Sequence, residues 1–245
     1  YGYDSFRINS DASAIISYGY MGGASLFWSA ATGALTGNAD ALTVPDVTSY
    51  YPRELSGSGL KIFGTTYNAV NGTYKAIIWN PSAATYLDIL NSLGTINYVG
   101  WAVNADATRA YGTYTQGGIT KVFRWDQTDG VTANLIGSLY SGNSINVRSM
   151  SSDGNKVIGD YYPSNTAQTF YWSQATGAID IGNSLGWGAN IWTYSQCMSS
   201  NGAYVFVNKY SGSGILETYR WKASDYSSVE LIKPVGVNEL TVKFS

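Results

Sequence analysis

The sequence predicts an all-β fold, a five-bladed β-propeller of four-stranded antiparallel blades. Three observations support this prediction: five tandem repeats of about 47 residues, four short strand-like segments in each repeat, and no segment with the apolar spacing and caps of a helix. Four consecutive antiparallel strands in a repeat of roughly 40 to 50 residues are typical of a propeller blade.

The repeats are recognised by a turn and by a tryptophan about twenty residues later. The turns lie in five similar segments that start at Ile8, Leu55, Val103, Met150 and Met198. These starting residues are 47, 48, 47 and 48 positions apart. A later strand of each copy ends in Trp28, Trp79, Trp125, Trp172 or Trp221, which we expect to pack between blades.

This spacing predicts one domain over residues 1–245, made of repeats at approximately 1–46, 47–94, 95–141, 142–189 and 190–236. The remaining segment, 237–245, looks like the first strand of a further repeat. It could pair with a sheet edge of this chain or of a neighbouring copy, which would allow self-association. The alternative fold is therefore part of a six-bladed propeller.

The fourth repeat shows the strands most clearly. We expect them at Ile145 to Met150, Lys156 to Tyr161, Gln168 to Trp172 and Ala178 to Ile181. Each segment is rich in strand-forming residues and is bounded by Gly, Asp, Asn or Ser, as hairpins require.

A polar residue recurs in the turn between the first and second strands. The position is occupied by Asp11, Ser58, Asp106, Asp153 and Asn201. Such side chains accept a hydrogen bond from the backbone two residues further on, and glycine tolerates the positive φ that follows. The pattern predicts a structural hairpin turn in preference to a calcium or catalytic site.

Composition narrows the possible functions. Only 12% of residues are charged, the net charge is −2 and no basic stretch occurs, which argues against a nucleic-acid partner. No apolar run approaches the roughly 18 residues that span a bilayer, so we expect no membrane insertion of this domain. The 21 tyrosines and the many uncharged polar residues suit a secreted, cell-surface or virion-surface protein.

The chain contains no histidine and a single cysteine, Cys197. Histidine is the commonest general base and the commonest metal ligand in proteins. The sequence therefore predicts neither a metal site nor a cofactor, and we expect no enzymatic activity. Glu54 and Asp4 lie on first strands and are the candidate acid pair for a propeller glycoside hydrolase, which is one alternative.

The fourth repeat resembles the HAF-type repeats of bacterial secreted and autotransporter-like proteins. The resemblance is carried by the Ser-Ser-Asp-Gly turn after Met150, the Tyr171-Trp172 strand end, the Ala175-Thr176-Gly177 turn and the closing Leu185-Gly186. The second repeat departs from this pattern, with Asn80-Pro81 after its tryptophan and no Asp in its turn. The resemblance implies an extracellular propeller and supplies no catalytic residues.

The loop after each second strand is the candidate binding site. It carries an aromatic residue in every copy, followed by Gly, Ser, Asn and Thr. Aromatic rings cover the apolar face of a sugar while amides and hydroxyls bind its hydroxyls. The candidate ligand-binding residues are Tyr20, Tyr67, Tyr114, Tyr162, Tyr210, Asn71, Asn165 and Ser211. Strand-end tyrosines that merely cover the sheet are the competing interpretation.

These observations favour a secreted or surface-displayed adhesion module whose partner is a glycan or a surface protein. The alternative is a structural subunit of an extracellular filament, sheath or virion surface, because the neutral composition and the tail strand suit assembly as well as binding.

Overall fold

The computed structural model describes residues 5–9, 11–18, 26–30, 33, 35–37, 49–81, 83, 85–89, 97–142, 144–163, 166–188, 190–210 and 216–232. Within these residues every repeat forms one four-stranded sheet in which sequential strands are neighbours. This arrangement confirms the predicted all-β class and the four-stranded blades.

The first three sheets are formed between residues 5 and 132. The first contains β1 (Ser5–Ile8), β2 (Ala14–Tyr18), β3 (Leu26–Ser29) and β4 (Leu35–Gly37). The second contains β5 (Ser49–Leu55), β6 (Ile62–Asn68), β7 (Thr73–Asn80) and β8 (Thr85–Asp88). The third contains β9 (Asn97–Val103), β10 (Arg109–Gln116), β11 (Ile119–Asp126) and β12 (Gly130–Thr132).

The fourth and fifth sheets follow the same order of strands. The fourth contains β13 (Ile145–Met150), β14 (Lys156–Tyr161), β15 (Gln168–Ser173) and β16 (Gly177–Asp180), followed by the short helix α1 (Ile181–Ser184). The fifth contains β17 (Trp192–Met198), β18 (Tyr204–Tyr210), β19 (Leu216–Lys222) and β20 (Asp225–Leu231). The four strands predicted for the fourth repeat are confirmed to within one residue.

The chain divides into two compact units. The first unit is Tyr1–Gln116 with Phe123–Thr132, and the second unit is Gly117–Val122 with Ala133–Ser245. Each unit has its own hydrophobic core. The predicted tail strand, 237–245, lies outside the described residues.

Three of the repeated tryptophans pack against the preceding sheet. In the first unit the Trp79 ring meets Phe27 edge-on at 6.5 Å, and Trp125 lies in a core with residues of the second sheet such as Phe63. In the second unit the fully buried Trp221 lies 5.2 Å from Tyr171, between ring centroids. These contacts confirm the predicted packing between blades for Trp79, Trp125 and Trp221.

The turn between the first and second strands is held by its own side chains. Asp153 Oδ1 accepts from the Asn155 amide at 3.0 Å, and Ser151 Oγ accepts from the Lys156 amide at 3.1 Å. The same bonds recur in the other four repeats. The side chain of the turn residue accepts from the amides of Ser13, Leu60, Thr108 and Ala203. The side chain two positions before the turn residue accepts from the amides of Ala14, Lys61, Arg109 and Tyr204. The predicted structural turn is confirmed.

Successive turns are also bonded to one another within each unit. In the first unit the amide of Gly57 donates to the carbonyl of Ala105 at 2.6 Å. In the second unit the amide of Ser152 donates to the carbonyl of Ser200 at 2.7 Å. The turns therefore bind neighbouring sheets together through the backbone.

The first strand of four sheets contains a β-bulge. The register shifts by one residue at Arg53, Trp101, Arg148 and Gln196. Plain alternation predicts that these four side chains lie on the same face as the core residues two positions later. The extra residue breaks that alternation and points the side chain in a new direction.

One turn of helix was not predicted. Asp180 caps α1 by accepting from the Asn183 amide at 2.9 Å, and it also accepts from the Tyr161 hydroxyl at 2.5 Å. These bonds give Asp180 a structural role. No helix in the described part of the chain is long and apolar enough to cross a membrane.

Candidate functional site

The structure describes five of the eight predicted binding residues. Tyr20, Asn165 and Ser211 lie outside the described residues. The remaining five occupy the end of the second strand or the loop that follows it, as predicted, but their surroundings differ.

In the first unit, Tyr67 and Asn71 belong to one hairpin. The ring of Tyr67 contacts that of Tyr74 across the strand pair, with centroids 4.7 Å apart. Asn71 is exposed, and its Oδ1 accepts from the amide and the hydroxyl of Thr73 at 3.2 and 2.5 Å. This hairpin presents a pair of half-buried rings beside a polar turn.

Tyr114, in contrast, lies in the core. It is buried with Phe123 and Trp125. Since a ring enclosed by apolar neighbours cannot meet a ligand, we do not include Tyr114 in the site. The adjacent Thr115, in place of the tyrosine of the other repeats, is half-buried.

In the second unit, Tyr210 is part of a row of aromatic side chains. Its ring meets Tyr194 edge-on at 5.6 Å, and Tyr194 lies 6.1 Å from Trp192. Antiparallel pairing places Trp192 directly opposite Tyr210, so both project from the same sheet face. Trp192 is 43% exposed, unlike the tryptophans at the strand ends.

Tyr162 lies beside a cavity in the same unit. The Tyr140 hydroxyl donates to the Tyr162 carbonyl at 2.8 Å, and the Tyr140 ring packs on Tyr161 at 5.2 Å. A cavity of about 460 Å³ is lined by residues 137–142 and by Pro163. Apart from Leu139, Tyr140 and Pro163, the cavity is lined by glycine and serine, and it carries no charged side chain. We call Tyr140, Tyr162, Trp192, Tyr194 and Tyr210 the aromatic cluster.

Arg148 lies next to the aromatic cluster. It occupies the bulge of β13 and donates from Nε to Asp160 Oδ2 at 2.9 Å. Burial opposes the positive charge, but the Asp160 carboxylate and the Tyr162 side chain outweigh it, so the pKa of Arg148 is raised. Arg148 is therefore a fixed cation whose side chain is 44% exposed.

Asp160 is fully buried and joins the fourth sheet to the fifth. Its Oδ1 accepts from the amide and the hydroxyl of Ser195, both at 2.8 Å, and from the Thr169 hydroxyl at 3.3 Å. Burial raises the pKa of Asp160, while the Ser195 amide and Arg148 oppose the rise. Burial is also the largest cause of the raised pKa of Tyr194, followed by Tyr162 and Asp160, which places Tyr194 near this ion pair.

Two other carboxylates that the sequence singled out, Glu54 and Asp88, have local partners. Glu54 forms an ion pair with Arg7, in which Nε and Oε2 are 3.5 Å apart, and burial raises its pKa. Asp4, the second member of the predicted acid pair, lies outside the described residues. Asp88 pairs with Lys75 at 3.0 Å. Among the described residues, no group of three or more acidic or thiol side chains could hold a metal ion.

Sequence reasoning did not identify Tyr140, Trp192 or Tyr194. A usable signal was present: the start of a first strand lies beside the end of the second strand in an antiparallel pair, so Trp192 must neighbour Tyr210. Tyr140 belongs to the connection before the fourth sheet, and nothing in its local sequence indicates the contact with Tyr162.

Comparison with known proteins identifies the fold. The chain is similar in structure to TolB from Acinetobacter baumannii (TM-score 0.57, 16% identity, 93% of this chain and 54% of that one). It is also similar to an oligogalacturonate lyase in complex with manganese (TM-score 0.61, 11% identity, 91% and 63%) and to a prolyl endopeptidase (TM-score 0.64, 10% identity, 94% and 36%). No protein-family model and no curated protein sequence matches the chain.

The chain thus spans about half the length of the TolB structure. Identities this low concern the fold and carry no information on activity. With the five four-stranded antiparallel sheets, the similarity shows that the fold class is a five-bladed β-propeller.

Proposed function

We propose that this propeller is a glycan-binding module without catalytic activity, secreted or displayed on a surface. The aromatic cluster, of which Tyr140 lines the uncharged cavity, supports the proposal most strongly. Aromatic rings suit the apolar face of a sugar, and small polar groups suit its hydroxyls. The resemblance to HAF-type repeats supports the extracellular location.

Carboxylate geometry supports a binding role over hydrolysis. A glycosidase needs two carboxyl groups that face the same glycosidic bond. In the described residues, Asp160, Asp180 and Asp126 each accept several hydrogen bonds from neighbouring side chains and amides. Carboxylates engaged in this way hold the sheets in place.

The binding test uses an array of immobilised glycans and the full chain. We expect binding to multivalent neutral glycans, strengthened by simultaneous engagement of several repeats. Trp192→Ala and Tyr162→Ala should each weaken it by about three- to tenfold, because one ring contact is lost. Leu231→Ala is the control, since Leu231 is an exposed apolar residue outside the aromatic cluster.

Other outcomes discriminate between the alternatives. No binding to any glycan, with filaments of the purified chain in electron micrographs, would favour the structural subunit. Hydrolysis of a bound glycan that is lost in Glu54→Gln would establish the glycosidase instead. Binding that requires a divalent cation would contradict the proposal, because its contacts are rings, amides and hydroxyls.

A further inference from the structure

A second cavity lies in the first unit, between the second and third sheets. It has a volume of about 210 Å³. Its lining includes Ala107, in the turn between the first and second strands of the third sheet. Its apolar wall includes Ile78, Trp125 and the exposed ring of Tyr86, and Lys61 and Gln127 contribute polar groups. It shares no residue with the aromatic cluster.

Three polar side chains of this cavity have no partner among the described residues: the ammonium group of Lys61, the side-chain amide of Gln127 and the indole N–H of Trp125. Asn80, which also lines the cavity, accepts from the Ala83 amide at 3.3 Å. Lys61 is half-buried, Trp125 is 7% exposed and Gln127 is exposed. Donors gathered in this way at an apolar wall are the usual construction of a small-molecule site.

In the second unit, the equivalent residues of the fourth and fifth sheets contact one another, and we call this arrangement the closed position. Lys156 corresponds to Lys61, since each backbone amide donates to the serine before the turn. The Nζ of Lys156, however, donates to the Asn201 carbonyl at 2.8 Å. The corresponding lysine is therefore satisfied by the protein itself.

The aromatic residues of the closed position also differ. Tyr171 stands where the second sheet has Ile78, and its ring lies 5.2 Å from Trp221. The indole N–H of Trp221 donates to the Tyr226 carbonyl at 3.0 Å, and the Tyr226 ring stacks on it at 5.8 Å. The smaller Ile78 and the unpaired Lys61 thus distinguish the open cavity from its filled counterpart.

We propose that this cavity binds a single-ring sugar acid of the hexuronate class. The volume is below the roughly 300–1,000 Å³ of sites for larger ligands and fits one ring. The exposed ring of Tyr86 would contact the apolar ring face, Lys61 the carboxylate, and Gln127 and the indole N–H of Trp125 the hydroxyls. A phosphate is a poorer fit, because phosphate sites gather several cations or backbone amides and this wall is largely apolar.

The experiment titrates the full chain with glucuronate and follows tryptophan fluorescence and amide chemical shifts. We expect saturable binding with Kd on the order of 1 mM, as expected for a ligand of this size. Glucose, which lacks the carboxylate, should bind at least about tenfold more weakly, because it loses a charge-assisted contact with Lys61.

Three variants locate the site. Lys61→Met keeps the aliphatic stem and removes the charge, and it should weaken glucuronate binding by about tenfold or more. Lys156→Met is the matched control and should leave the affinity unchanged. Ile78→Tyr imitates the closed position and should abolish binding, with circular dichroism confirming that the variant is folded.

The proposal fails if the wild-type chain shows no saturable response to glucuronate, or if Lys61→Met and Lys156→Met bind it equally well. It does not depend on the aromatic cluster. Glucuronate binding should persist in Trp192→Ala, and Lys61→Met should bind the glycan array like wild type, so failure of either proposal leaves the other standing.

Discussion

The guanidinium of Arg148 donates from Nε to the fully buried carboxylate of Asp160 at 2.9 Å. The bulge that carries Arg148 turns the side chain toward its own sheet, where Asp160 holds it beside the aromatic cluster. Because Asp160 also accepts from Ser195, the same carboxylate fixes the cation and joins the fourth sheet to the fifth.

Removal of the Asp160 carboxylate should lower the free energy of unfolding. Asp160→Ala leaves the Ser195 amide and the Arg148 guanidinium without their acceptor, and we expect the free energy of unfolding to fall by about 3 kcal/mol. Urea denaturation measures the change. Asp225→Ala, at an exposed turn, is the control and should lie within about 0.5 kcal/mol of wild type. Equal effects of the two variants would show that the buried pair contributes nothing.

The buried strand-end tryptophans should contribute more to the free energy of unfolding than exposed aromatic residues do. Trp221 is fully buried, so Trp221→Ala should lower the free energy of unfolding by about 3–5 kcal/mol. Trp192→Ala, at a position 43% exposed, should cost less than about 1 kcal/mol. Thermal and urea denaturation of both variants provide the comparison. A loss at Trp221 no larger than at Trp192 would be inconsistent with packing between blades.

Asp126 should make stability depend on pH in the acid range. The hydrogen bond from Arg109, with further donors that include Arg124, holds the pKa of Asp126 well below its usual range, although burial opposes the shift. The stability that this group contributes is complete above the unfolded-state pKa of about 3.9 and is lost as the pH falls toward the lower folded-state pKa.

We therefore expect wild-type stability to decline from about pH 4 downward, and Asp126→Asn to be less stable at neutral pH with a shallower acid decline. Urea denaturation at a series of pH values gives both quantities. Parallel curves for the two proteins would assign the acid sensitivity to other carboxylates.

Ala12 should be replaceable by glycine with a gain in stability. Its φ is 58°, in the left-handed region, whereas the equivalent residues Gly154 and Gly202 have φ of 67° and 64°. A Cβ in this conformation costs roughly 1–2 kcal/mol, and the greater unfolded-state entropy of glycine offsets part of the gain. Ala12→Gly should raise the free energy of unfolding by about 0.5–1 kcal/mol. Gly154→Ala should change it in the opposite direction, and calorimetry of the pair tests both signs.

The sequence predicts those parts of the fold that depend on local chemistry. The turn at Asp153 and the strands around it could be predicted because each residue bonds within a few positions of itself. The bulge at Arg148 could not, since it depends on how two strands align. The closed position around Tyr171 and the open one around Ile78 likewise depend on packing between sheets, which no single repeat specifies.

The hydrogen bonds between successive turns affect how whole repeats can be added or lost during evolution. Gly57 and Ser152 each donate forward to the next copy, to Ala105 and Ser200, through backbone atoms alone. These two bonds do not depend on which side chains the joined copies carry, so duplication or loss of a whole repeat could preserve such a bond. The Asp160–Ser195 bonds require the Asp160 carboxylate, so they would be lost if a rearrangement separated the fourth copy from the fifth.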